Sequence, residues 1–136
     1  MGNSYQRAEF IEILNAQTVA GLEVVDSDCE VEDVVVTCQY RQEDVFMRTV
    51  GVGLTGFHTY VVRDKIVQAY RVHDPASQEA TYQAIDDFRA WVAVAHPELE
   101  NVIWSSRRAE FYVTRAGAQA AKDVLDEYRS AGPPGT

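Results

Sequence analysis

Apolar residues recur at helical spacing over residues 7 to 20, at Phe10, Ile11, Ile13, Leu14 and Val19, and Gly21 is a natural stop. From Leu22 the period falls to two. Val25, Cys29 and Val31 alternate with Asp26, Asp28, Glu30 and Glu32, and Ser27 interrupts the apolar face, which predicts a strand with one wet face. Glu32-Asp33 suits a tight turn, after which Val34, Val36, Cys38 and Tyr40 carry the buried parity onto a second strand. Pairing Val31 with Val34 sets Cys29 opposite Val36 and leaves Cys38 a diagonal neighbour, so the cysteines read as two small buried thiols.

Residues 43 to 56 fit no single element: Val45, Phe46 and Met47 are apolar, and Gly51 to Gly56 read as a flexible glycine loop. Phe57 to Arg63 and Ile66 to His73 are strand-like and flank a two-residue turn at Asp64-Lys65. Asp74-Pro75 is a strong helix start, because Asp caps and Pro at the first helical position loses no bonded N–H. That helix should run to about Ala95 with Tyr82, Ile85, Phe88, Trp91 and Val92 as its stripe, and His96-Pro97 ends it. Val102 to Trp104 form an apolar patch and Phe111 to Val113 a short strand. Thr114 caps a last helix carrying Ala118, Ala121, Val124, Leu125 and Tyr128. The pattern predicts an α+β chain with an N-terminal helix packed on an antiparallel sheet of about four strands, then C-terminal helices. One domain covers 1–130, and 131–136 is a disordered tail.

Length and composition agree with that. The chain has 136 residues, 46% hydrophobic and 24% charged, which suits one domain with a real core. Its formal net charge of −9 disfavours nucleic acid and anionic lipid as partners. The acidity is local: residues 8 to 40 hold eight carboxylates and no Lys or Arg, and the rest of the chain is close to neutral. Asp26, Asp28, Glu30 and Glu32 would share one face of one strand, keeping it soluble or docking a basic partner. No apolar run reaches the ~18 residues of a membrane span. The N-terminus lacks the basic and apolar regions of a signal peptide, and Gln6 stands where myristoylation needs Ser or Thr. Two cysteines are too few for a disulfide-scaffolded secreted domain, so the expected location is cytoplasmic.

Gly51-Val-Gly53-Leu-Thr-Gly56 matches a dinucleotide fingerprint by letters, but strand formers follow where a helix must begin, so no nucleotide is implied. The hairpin after it is more informative. Pairing Arg63 with Ile66 sets His58 opposite Arg71 and Tyr60 opposite Ala69. One face then carries His58, Tyr60, Val62, Val67, Ala69, Arg71 and His73, polar at one end with room beside Ala69. That face is either solvated or the lining of a ligand pocket. The other face, with Phe57, Val61, Tyr70 and Val72, looks like packing against a second layer. An Arg beside His58 would favour the neutral ring, which suits a base. Arg107-Arg108 reads as a solvated turn, no Gly-x-Ser-x-Gly elbow occurs, and His58, His73 and His96 lack the neighbours of a metal site.

Helix, antiparallel strands and helix, with the stretch Phe57-His-Thr-Tyr-Val-Val-Arg-Asp-Lys-Ile-Val-Gln-Ala-Tyr-Arg-Val-His-Asp74, resemble the NTF2-like superfamily, including its SnoaL-like and ketosteroid-isomerase-like branches. The likeness spans about residues 7 to 95 and is sharpest in the hairpin. It implies a curved sheet wrapped as a cone around a mostly apolar pocket, a small hydrophobic ligand, and a homodimer formed through the sheet. Carried onto this chain, it favours Tyr60, Arg71 and His73 as ligand-binding residues and His58 and Asp74 as acid or base. No metal and no cofactor are implied. The chain departs from the family in its Asp64-Lys65 turn, which lacks the usual Gly, and in having no further N-terminal helices and hairpin before its first strand.

The resulting expectation is a small-molecule-binding domain, with general acid–base chemistry of isomerase, cyclase or hydrolase type if it is catalytic. The competing expectation is a non-catalytic dimeric interaction module using the sheet face or the acidic strand. A different helix-on-sheet layer, cystatin-like or ferredoxin-like, is the third.

Overall fold

The computed structural model describes residues 7–105 and 110–132. The architecture is α+β, with one helix before a curved, open, four-stranded antiparallel sheet and helices after it. In chain order the elements are α1 (Arg7–Ala20), β1 (Glu23–Glu32), β2 (Val35–Glu43), α2 (Val45–Val50), β3 (Leu54–Arg63), β4 (Lys65–His73), α3 (Pro75–Ala95), α4 (Pro97–Ile103) and α5 (Arg115–Ser130). The strands lie side by side in chain order, so β1 and β4 are the edges. Among the described residues, no helix is long and apolar enough to cross a membrane.

Three helix starts follow the capping rule. Asp44, Asp74 and Thr114 each accept a bond from the backbone N–H three residues on, satisfying one orphan donor. Asp74-Pro75 and Thr114 begin α3 and α5 as the pattern predicts. Residues 45–50, which the pattern leaves unplaced, are α2, too short to display a helical period, and Gly51 ends it at φ 78°. The glycine loop is shorter than expected, because β3 begins at Leu54. Gly56 lies inside β3. A Cβ there would stand 2.0 Å from the Val72 carbonyl oxygen and 2.9 Å from the Tyr40 ring, so only glycine fits.

Two further expectations change. Pro97 restarts the chain as α4 after His96, because Pro suits a first helical position as well as it ends the preceding helix. Phe111 to Val113 are a turn rather than a strand, with Tyr112 at φ 27°. Arg107-Arg108 and residues 133–136 of the expected tail lie outside the described residues.

The core is built by helices. Phe46 and Met47 of α2, Phe88 and Val92 of α3, Ile103 of α4, and Leu125 and Tyr128 of α5 close on one another, and Leu54 at the start of β3 packs against them. Within α1, Ala16 and Ala20 are buried while Phe10, Ile11 and Leu14 stay about half exposed. The helix lies chiefly along α5. The sheet therefore projects from the helical core. The face carrying Phe57, Tyr70 and Val72 was expected to pack on a second layer, yet these residues are 50%, 51% and 59% exposed.

Register decides what shares a face. The β3–β4 pairing sets His58 opposite Arg71 and Tyr60 opposite Ala69, as the sequence predicts. The turn differs: Val62 pairs with Ile66 and Arg63 with Lys65 across Asp64 alone, at φ 66°. A bulge between Val61 and Val62 absorbs the difference. Between β1 and β2, Val31 pairs with Val36, not Val34. A second bulge between Ser27 and Glu30 brings Cys29 against Cys38, and the two are joined as a disulfide. The reading of two separate buried thiols is thereby overturned.

Candidate functional site

The β1 bulge splits the acidic stripe. Before it, Asp26 pairs with Tyr40; after it, Glu30 pairs with Thr37. Adjacent strand positions face opposite ways, so Asp26 points to the Tyr40 face while Glu30 points to the other. The expectation that Asp26, Asp28, Glu30 and Glu32 share one face is corrected.

On the Tyr40 face the strands assemble one polar row, with one residue from each strand. The His58 ring nitrogen Nδ1 lies 2.6 Å from Asp26 Oδ1. On the ring's other side, Arg71 Nε donates to His58 Nε2 at 2.7 Å. Arg71 Nη1 donates to Gln42 Oε1 at 2.7 Å. With Nε2 accepting, the ring proton sits on Nδ1 and is donated to Asp26. Tyr60 donates its hydroxyl to Asp26 Oδ2 at 2.7 Å. Asp26 (β1), Gln42 (β2), His58 (β3) and Arg71 (β4) thus form a continuous line.

Tyr40 backs this row. Its ring stacks on His58 with centroids 4.4 Å apart, and the Arg71 guanidinium lies 5.0 Å from its centroid. Its hydroxyl is bonded to His73 Nδ1. Tyr40 and His58 are 3% and 8% exposed, so the row has a buried floor and an open rim at Arg71. Gly56, opposite both Tyr40 and His73, leaves the space the Tyr40 ring fills.

These contacts set protonation. Partial burial pushes Asp26 upward, but hydrogen bonds from Tyr60 and His58 and the nearby Arg71 charge outweigh it and hold the carboxyl below its ordinary value. Burial, then the neighbouring Arg71 and His58, lower His73. Burial raises Tyr40, and the bond to Asp26 raises Tyr60.

Gln42 also borders a second feature. A cavity of ≈ 140 Å³ lies between α1, the end of β2 and the 111–113 turn, lined mainly by apolar groups such as Ile13, Leu22 and Phe111. Asp44 and Tyr112 supply its polar wall, with the Tyr112 hydroxyl donating to Asp44 Oδ2. Burial raises Asp44 above its ordinary value, and burial followed by the Asp44 charge raises Tyr112.

Of the residues singled out from sequence, His58, Tyr60 and Arg71 meet directly, and His73 joins them through Tyr40. Asp74 is placed apart. Its carboxylate accepts from Ser77 N at 3.1 Å, and it borders a shallow depression with Val25 and Phe57 on the opposite face. The sequence places Asp26 only in the acidic stripe and Tyr40 only in the buried parity of β2, and it gives Gln42, Asp44 and Tyr112 no role. Tyr40 and Gln42 follow from extending the His58 face by register onto β2, whereas Asp44 and Tyr112 meet across 68 positions and leave no local signal. Among the described residues, no group of three or more His, Cys, Asp or Glu is arranged to hold a metal ion. Comparison with protein-family models, curated proteins and solved structures finds no match to this chain.

Proposed function

We propose that this protein is an NTF2-like, small-molecule-binding domain. Its ligand carries a small apolar group, seated in the cavity beside α1, and a polar end held by Arg71 and His58. The observation that carries the reading is the hydrogen-bonded row across four strands, which ends at Gln42 on the cavity wall. A row of donors and acceptors beside an apolar recess is how small ligands are oriented. Where the domain is catalytic, His58 moves the proton, with Asp26 orienting its ring and Arg71 swinging from Nε2 to a developing oxyanion. Asp74 is engaged in capping α3 and serves the fold in this reading.

The test uses a panel of small cyclic ketones and aromatic carboxylates, with binding followed by calorimetry. Binders should lose at least tenfold in affinity to Arg71→Ala and His58→Ala while the circular dichroism of both variants matches the parent. Equal affinity in the variants sinks the proposal. Cytoplasmic residence, also proposed, is compatible with the Cys29–Cys38 bond where that bond is reversible, since stable disulfides belong to oxidising compartments.

A second reading, a homodimeric interaction module, is favoured by exposed Phe57, Tyr70 and Val72 on the opposite sheet face. Light scattering should then give a dimer mass that Tyr70→Glu reduces to a monomer. A monomeric parent removes this reading.

A further inference from the structure

One side of β4 has main-chain groups with no strand to meet. Asp74 N–H donates to the Thr55 carbonyl at 2.7 Å, and the β3–β4 pairing sets Val72 opposite Phe57, Tyr70 opposite Thr59 and Gln68 opposite Val61. Alternate residues of an antiparallel strand bond the same neighbour, so Gln68, Tyr70 and Val72 turn their N–H and C=O groups to β3. Those of Ala69, Arg71 and His73 point outward, and β4 is the edge of the sheet. Lys65 to Val72 are all exposed. Regular pairing holds from Gln68 to His73, with Val67 taken up in the bulge. Outward donors and acceptors along an uncovered extended strand are a template for another strand.

We propose that β4 pairs antiparallel with β4 of a second copy, joining two four-stranded sheets edge to edge. The other edge is blunted. The bulge between Ser27 and Glu30 interrupts β1, Asp28 stands at φ 49°, and the strand carries carboxylates that a second β1 would meet with its own. Of Asp, Glu, Lys and Arg, β4 holds only Lys65 and Arg71. Because β4 leads through Asp74 into α3, antiparallel pairing also puts the two helical cores at opposite ends of the joined sheet.

Charge and the bulge choose the register. A two-fold axis at Arg71 would set two guanidinium side chains against each other. An axis at Ala69 needs the bulged Val67 for its outer bonds, and one at Val72 brings Pro75, the start of α3, opposite Ala69. An axis at Tyr70 joins Ala69 to the partner's Arg71, and Arg71 to the partner's Ala69, through main-chain bonds within the regular stretch. It sets Tyr70 against the partner's Tyr70 as an aromatic pair and Gln68 against the partner's Val72. On the His58 face, Arg71 then has the partner's Ala69 beside it and the partner's Tyr60 beyond, so the second copy closes the open rim of the polar row.

This edge dimer is distinct from a dimer through the opposite sheet face, and its test needs no ligand. With the axis at Tyr70, the two Tyr70 Cα atoms stand ~4.5 Å apart, within disulfide reach, and the two Gln68 Cα atoms ~13 Å apart. Tyr70→Cys, oxidised with copper phenanthroline in dilute solution, should give a covalent dimer on a non-reducing gel. Gln68→Cys alone should stay monomeric, and its mixture with Val72→Cys should give the mixed dimer. In the parent, amide exchange at Ala69 and Arg71 should slow as protein concentration rises. Ala69→Pro removes an outward N–H, spares the β3 ladder and should be monomeric by light scattering. Phe57→Glu, on the opposite face, should leave the Tyr70→Cys cross-link in place. Absence of that cross-link, equal cross-linking of Gln68→Cys, or masses growing past the dimer as β1 joins β4 each overturns the pairing. The cross-links decide the register even where Ala69→Pro does not fold. A dimer lost in Phe57→Glu but kept in Ala69→Pro belongs to the opposite face and overturns the edge pairing alone.

Discussion

Arg71 donates through Nε to Nε2 of His58 at 2.7 Å, across two strands whose register sets these residues opposite each other. With Asp26 on the other ring nitrogen, the imidazole is held between a carboxylate and a guanidinium, which fixes both its tautomer and its orientation. The same guanidinium contributes, after burial, to lowering His73.

Arg71→Met should therefore raise the titration midpoint of His73 while burial keeps it below an unperturbed imidazole. Side-chain proton–nitrogen NMR across pH measures this directly. A His73 midpoint that ignores the substitution means that Arg71 does not act on it.

His73 and His96 should bend stability in opposite directions with pH. His73 is lowered from 6.5, so the unfolded chain binds its proton first, and stability falls as pH drops from about 6.5 through the folded value. His96 is raised from 6.5, first by its bond to Glu127, so its contribution is present below about 6.5 and is lost as pH rises through the folded value. Denaturant midpoints of the parent and Glu127→Gln between pH 5 and 8 separate the two, because the variant weakens the His96 component, leaving the smaller contribution of Glu98, and does not touch His73.

Two glycines should differ sharply in tolerance. Gly56→Ala drives a methyl into the Val72 carbonyl and the Tyr40 ring and should cost more than ~2 kcal/mol. Gly51→Ala meets nothing within 4 Å and bears only the left-handed penalty, ~1–2 kcal/mol. Urea midpoints rank them, and a milder Gly56→Ala would mean that the sheet relaxes at this point.

Stability should reside in the helical core. Phe88→Ala removes a fully buried ring at the centre of the aromatic cluster and should cost ~3–5 kcal/mol. Phe10→Ala on α1 removes a ring that is 52% exposed, worth roughly half of the ~1.5–3 kcal/mol of a fully buried side chain. Equal losses in chemical denaturation would contradict this distribution.

The hairpin around Asp64 was legible because its register depends on alternation and a short turn, both local. His58 and Arg71 came out opposite each other even though the turn residue differed, since a bulge at Val61 compensated for it. α2 was not legible, because six residues display less than two turns of periodicity. Asp26 was misplaced for a related reason. Alternation predicts faces only while pairing is regular, and one inserted residue inverts everything on one side of it.

By itself the sequence determined the α+β order, the capped starts of α3 and α5, and a polar hairpin face, because capping and alternation act over a few neighbouring residues. Only the tertiary structure decided that Cys29 bonds Cys38, that Asp26 reaches His58, and that Tyr112 meets Asp44. Each of these depends on the relative placement of separate elements, which bulge positions and long-range packing set and no local pattern encodes.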